Sequence, residues 1–201
     1  MKIIIGLGNP GKKYERTRHN AGFLCMDFLQ QELAFTPFVL DKKMSAETSS
    51  GMLGREKTLL VKPDTFMNGS GTAVQALLSF YKLSASDIIV IHDDLDIAPG
   101  THKVTMSSRA AGHNGVQNII DTIGTQDFCR IRLGIGRPTE TMGVCPPEIE
   151  RGSASWRRAG ISSHDFVLQD FSPAELKALT ALFPKVQEET LQWIKKHSRN
   201  F

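Results

Sequence analysis

The chain has 201 residues, enough for one domain with a substantial core and too few for a second full one. Its 24 lysines and arginines against 21 acidic residues leave a formal charge of +3, which permits an anionic partner without requiring one, so local clustering matters more than the total. Cys25, Cys129 and Cys145 are odd in number and lack CxxC spacing, which fits reduced thiols rather than a disulfide framework, and no stretch approaches the roughly 20 apolar residues of a membrane helix. A soluble, cytoplasmic chain is the expectation.

Ile3, Ile4 and Ile5 form a short β-branched run of the kind that makes a buried strand. Gly6, Gly8, Pro10 and Gly11 then force turns, and a polar, mostly cationic segment follows from Lys12 to Asn20. Ligands in α/β proteins bind beyond the carboxyl ends of strands, so Asn9, Tyr14 and His19 are placed to meet one. Gly6-Leu7-Gly8-Asn9-Pro10-Gly11 formally matches the dinucleotide fingerprint. That motif needs its third glycine to open a helix and an acidic residue about 20 positions on, and neither condition is met. Apolar periodicity instead starts at Ala21 and runs to Leu33, with Asn20 as its expected N-cap and Cys25 as a small buried apolar residue within it.

From Phe38 to Lys62 the chain is strand-like, and Lys62-Pro63 ends that run. Thr72 to Tyr81 places Val74, Leu77, Leu78 and Tyr81 on one helical face. Gly69-Ser70-Gly71 lacks the spacing and the preceding strand of a nucleophile elbow, so its glycines are read as bending the backbone. Ile88 to Ile91 is a second buried strand, followed by His92-Asp93-Asp94-Leu95-Asp96. If this strand and the first run parallel, both polar clusters lie at one sheet edge and His19 faces Asp93. A cation site built from His92, Asp93, Asp94 and Asp96 is disfavoured, because adjacent residues of an extended chain point to opposite faces.

His102 to Met106 reads as a further strand. Val116, Ile119, Ile120 and Ile123 mark a helix closing at Gly124, with Asn114 at its start either as a cap or as a side-chain amide beside exposed helix N–H groups. Phe128 to Ile135 alternates as a strand, with Arg130 and Arg132 opposite Cys129, Ile131 and Leu133. Periodicity then dissolves from Gly136 to Ser163, which predicts an atypical surface loop at about 139–163. Two helices follow, one capped by Ser172-Pro173 and one from Pro184 to His197. Strands alternate with helices throughout, so the expected architecture is a single α/β domain spanning 1–201, with a twisted, largely parallel mixed sheet flanked by helices.

Taken in order, GLGNPG with Tyr14 and TRHNAG, KPDTFMNGSG, HDDLDIAPG, AGHNGVQNI, RIRLGIGRP and DFVLQDF closely resemble the bacterial-type peptidyl-tRNA hydrolases. The resemblance covers nearly all of 1–138 and resumes at about 164. It implies a metal-independent, cofactor-free, monomeric esterase that cleaves the bond between a peptide and the terminal ribose of tRNA and so recycles both. By position, His19 is implied as the catalytic base, Asp93 as the carboxylate that orients it, and Asn9 as the group that separates N-blocked peptidyl from free aminoacyl esters. Tyr14, Phe66, Asn68 and Asn114 are implied as contacts to the substrate. An arriving acceptor arm would meet Lys103, Arg109, Arg130 and Arg132 from the later segments, and Lys12, Lys13, Arg16 and Arg18 from the first loop.

Two departures from the family pattern stand out. Thr105 to Ala111 replaces a segment that is usually glycine-rich, and the connection between Arg137 and Asp165 is longer than usual, carrying Trp156, Arg157 and Arg158. A non-catalytic, splicing-type RNA-binding relative is the alternative. The joint presence of His19, Asp93, Asn9, Asn68 and Asn114 argues against it. A metal-dependent hydrolase using the aspartates after His92 is a weaker third reading.

Overall fold

Strand pairing explains why the isoleucine-rich runs lack polar alternation. The structure, a computed structural model, describes residues 1–137 and 162–198. Its strands are β1 (Lys2–Gly6), β2 (Val39–Asp41), β3 (Ala46–Leu53), β4 (Glu56–Pro63), β5 (Ile88–Asp94), β6 (His102–Met106) and β7 (Cys129–Gly134). They form a seven-stranded sheet in the order β2-β3-β4-β1-β5-β7-β6. The central pairs β1–β4, β1–β5 and β5–β7 are parallel, and the flanking pairs are antiparallel. A central parallel strand is covered on both faces, which favours a continuous apolar run over alternation.

The helices are α1 (Ala21–Glu32), α2 (Ser70–Tyr81), α3 (Asn114–Ile123), α4 (Ser163–Val167), α5 (Pro173–Thr180) and α6 (Phe183–His197). Ile4, Leu60, Ile89, Ile91 and Ile131 face one layer, where they pack with Met26 and Leu29 of α1 and with Val186 and Ile194 of α6. Ile3, Ile5, Leu59, Val61 and Val90 face the other, packing with Val74 and Leu77 of α2 and Val116 and Ile119 of α3. Each fully buried isoleucine removes enough apolar surface to contribute about 1.5–3 kcal/mol. The single α/β domain is therefore a three-layer structure with a core on each side of its sheet.

One close approach positions the site. A Cβ on Gly22 would lie 2.4 Å from the Leu7 nitrogen and 2.5 Å from the Ile91 oxygen. Only glycine lets the first turn of α1 rest directly on the ends of β1 and β5, so the Arg18–Asn20 turn just before α1 is carried over the strand ends. Asn20 stands at the N-cap position of α1 but makes no side-chain cap hydrogen bond, contrary to the sequence expectation. Its amide is used elsewhere, as described below. Residues 138–161 and 199–201, and with them most of the predicted 139–163 loop, Cys145, Trp156, Arg157 and Arg158, lie outside the described residues.

Candidate active site

Because β1 and β5 are parallel neighbours, the segments beyond their carboxyl ends meet, as the sequence predicts. His19 Nδ1 lies 2.9 Å from Asp93 Oδ1 in a buried contact. The same oxygen is 3.1 Å from Nε2 of His113, a residue to which the sequence reading assigned no role. The backbone N–H of Val116 donates to His113 Nδ1 at 3.2 Å, so that nitrogen is an acceptor and the His113 proton sits on Nε2. Asp93 Oδ1 thus accepts from two imidazoles. His19 donates through Nδ1, which leaves Nε2 as its lone-pair nitrogen, and the residue lines a cavity of about 400 Å³ together with His113 and Asn114.

The electrostatics follow from this geometry. Burial alone would lower the pKa of His19, but the charge of Asp93 and the hydrogen bond to it outweigh that and raise it above its ordinary value. Burial would raise the Asp93 carboxyl, yet the two histidines hold it well below the usual carboxylate range. His92, whose Nδ1 lies 2.7 Å from the Asp93 carbonyl oxygen, is driven well below its ordinary value by full burial, with the neighbouring His113 adding to the effect. His92 is therefore a neutral packing partner rather than a base.

His19, Asp93 and His113 are close enough together to hold a metal ion. The donor set does not fit one, because His113 Nε2 carries its proton and offers no lone pair. The cluster His92, Asp93, Asp94 and Asp96 does not assemble either: Asp94 Oδ2 takes the Arg132 Nε at 2.6 Å and Asp96 pairs with Arg137.

Asn20 explains how Asn9 is held. Its Oδ1 accepts the Asn9 N–H at 2.9 Å and its Nδ2 donates to the Asn9 carbonyl at 3.0 Å. Asn9 Oδ1 in turn accepts the Met67 N–H at 2.9 Å, which ties the first loop to the segment entering α2. Asn9 Nδ2 is left as the donor with no partner among the described residues. Near this point Phe66 stands 61% exposed with its ring edge-on to Tyr14, at a centroid distance of 6.2 Å. Asn68 is exposed, as is Asn114, which opens α3 as its first residue while His113 supplies the cap. Ser70 is fully buried and its hydroxyl donates to the Met67 carbonyl, which disposes of it as a nucleophile.

A model of the family described as peptidyl-tRNA hydrolase matches residues 3–200. The chain belongs to the peptidyl-tRNA hydrolase family. A peptidyl-tRNA hydrolase crystallised with N-propanol is 28% identical and superposes with a TM-score of 0.80 over 97% of this chain and 89% of its own. The Acinetobacter baumannii peptidyl-tRNA hydrolase is 27% identical, with a TM-score of 0.80 over 98% of this chain and 89% of its own. An arginine-to-glutamine variant of the Acinetobacter baumannii enzyme is 29% identical, with a TM-score of 0.78 over 97% of this chain and 89% of its own.

Within this peptidyl-tRNA hydrolase fold, two of the arginines expected on a tRNA-facing surface are consumed internally. Arg130 is 1% exposed, its Nη1 donating to the Arg109 carbonyl at 3.0 Å and its Nη2 to Ser108. Arg18 is 5% exposed and paired with Glu175. Alternation gave the face on which Arg130 stands but not that the face is covered. Arg130 instead braces the segment that departs from the family's glycine-rich pattern, where Ser107 and Ala111 adopt left-handed φ values of 47° and 50°. Lys103 and Arg109 remain exposed, and Lys103 is the cross-strand partner of half-buried Arg132.

Proposed function

We propose that this chain hydrolyses the ester between a peptide and the 3′-terminal ribose of tRNA with His19 as general base, releasing free tRNA and free peptide. The observation that carries the assignment is the buried His19–Asp93 hydrogen bond at 2.9 Å, with the remaining ring nitrogen open to a cavity. His19 Nε2 takes a proton from water as the water oxygen attacks the ester carbonyl. The ionised Asp93 stabilises the imidazolium that forms, and the proton then passes to the departing ribose oxygen. Amide donors from Asn9, Asn68 or Asn114 suit the developing oxyanion and the peptide main chain, since they do not read side chains.

Asn9 would sense a blocked amino acid through Nδ2. Its Oδ1 is occupied by Met67, so it can donate to the carbonyl of a preceding residue or blocking group, which a free aminoacyl ester lacks. Tyr14 and Phe66 would offer ring faces to substrate, and Lys103, Arg109 and Arg132 would meet the phosphates of the acceptor arm. We further propose that the protein acts as a monomer in the cytoplasm. Its buried, unpaired Cys25 and Cys129 fit a reducing compartment, and among the described residues no helix is long and apolar enough to cross a membrane.

Incubating the purified protein with N-blocked and free aminoacyl-tRNA, with and without EDTA, tests this reading. Hydrolysis of the blocked substrate alone, insensitive to EDTA, is expected. Binding without turnover would move the protein to the non-catalytic RNA-binding class, which no observation here favours.

A further inference from the structure

His19 and Asn20 are consecutive residues of one turn, yet they line different cavities. The cavity at His19 is bordered by Asp93, Asp94 and Asp96; Asp93 accepts from two imidazoles, and Asp94 and Asp96 are each paired with an arginine, Arg132 and Arg137. The second cavity, about 670 Å³, is lined by Asn20 and Asn9 and lies within the usual size range of a ligand site, about 300–1,000 Å³. Its four carboxylates, Glu15, Asp27, Glu47 and Asp64, face two cations, Arg16 and Lys62. Asp27 is paired with Lys62. Glu15, Glu47 and Asp64 have no ion pair among the described residues, although Glu47 stands across the ladder from Lys62, so carboxylates outnumber cations in this wall.

Asn9 supplies a second, independent sign of a ligand. It is 6% exposed, its backbone and Oδ1 are fully engaged, and its unpartnered Nδ2 belongs to a side chain in the wall of this cavity. This donor is open to solvent, so a ligand that replaces the water there must supply an acceptor. A peptide carbonyl does so, and an RNA phosphate is repelled by the surrounding carboxylates.

We propose that this second cavity binds the peptide beyond its ester-bearing residue and favours cationic side chains there. The inference rests on the functional reading above and adds a charge selectivity to it. A lysine facing several of these carboxylates gains roughly 3-fold or more over a glutamate, the size expected of partly exposed ion pairs.

The test compares two N-acetyl-dipeptidyl-tRNAs that share their ester-bearing residue and differ only in the preceding one, lysine or glutamate, with N-acetyl-aminoacyl-tRNA as a reference too short to reach the carboxylates. Higher kcat/KM for the lysine substrate is expected, shrinking at high salt. In Glu47→Gln and Asp64→Asn that preference should fall toward unity while the reference rate holds. Equal rates on the two dipeptidyl substrates, or a preference that survives in both variants, overturns the proposal and leaves the hydrolase reading intact. Failure to hydrolyse even the reference substrate removes both.

Discussion

Arg18 and Glu175, 157 positions apart in the chain, form a buried ion pair one residue away from His19, with Arg18 Nε and Nη2 at 3.1 and 3.0 Å from Oε1 and Nη2 at 2.9 Å from Oε2. The Arg18 guanidinium also lies 4.2 Å from the Phe166 ring centroid, and the Arg18 N–H donates to the Gln169 carbonyl at 3.0 Å. The turn that carries His19 is thus fastened to the segment running from α4 into α5.

Removing the acidic partner leaves an arginine buried without compensation. Glu175→Ala is expected to destabilise the fold by about 3–5 kcal/mol, read as a lowered urea midpoint. Burial raises the Glu175 carboxyl pKa, but Ser172 and Arg18 outweigh it and lower the pKa from its ordinary 4.5. A carboxylate lowered on folding contributes stability that is present above pH 4.5 and lost as pH falls through the depressed value. Glu175→Gln should therefore weaken the acid-side dependence of stability. An unchanged acid-side profile would remove this ion pair from the acid-labile contacts.

His19→Ala should abolish the general-base contribution, about 10²–10⁴ in rate, while tRNA affinity is nearly retained. The pKa of His19 is raised because Asp93 outweighs burial, and only the neutral ring can accept a proton, so turnover falls as pH drops through that raised value. Asp93→Asn removes the cause of the rise. Turnover should drop and the acidic limb of kcat should move to lower pH; a limb that stays in place would separate Asp93 from the titration of His19.

Asn9→Asp keeps an oxygen for the Met67 N–H but deletes the amide donor. The rate ratio between N-blocked and free aminoacyl-tRNA should narrow in this variant. If both rates fall in proportion, Asn9 serves bond cleavage rather than discrimination.

Lys103→Ala should weaken tRNA binding and reduce the log–log slope of affinity against salt by roughly one phosphate contact, about 0.7–0.9. Hydrolysis of a short ester mimic without the tRNA body should be almost unaffected. Arg132→Ala has a second effect, since it leaves the buried Asp94 unpaired, and should also lower thermal stability. Equal losses on the full substrate and the mimic for Lys103→Ala would place that lysine at the ester instead.

The α/β class, the central strands and the meeting of His19 with Asp93 were legible in the chain itself. Local patterning carries them: the short β-branched isoleucine runs read as strands covered on both sides, and parallel neighbours bring the segments beyond their ends together. The order of motifs from Gly6 to Phe171 points to the family by itself. Relationships between distant groups were not legible. That His113 shares one Asp93 oxygen with His19 depends on how α3 is seated against β5, and that Arg130 and Arg18 are spent inside the protein depends on what covers their faces. Periodicity states which side of a strand or turn a residue occupies, whereas burial, proton position and free charge are set by what the rest of the chain packs against that side. For the same reason Glu15, Glu47 and Asp64 look like ordinary surface carboxylates in the sequence. Only the tertiary structure gathers them, with Asn9, into the wall of one cavity.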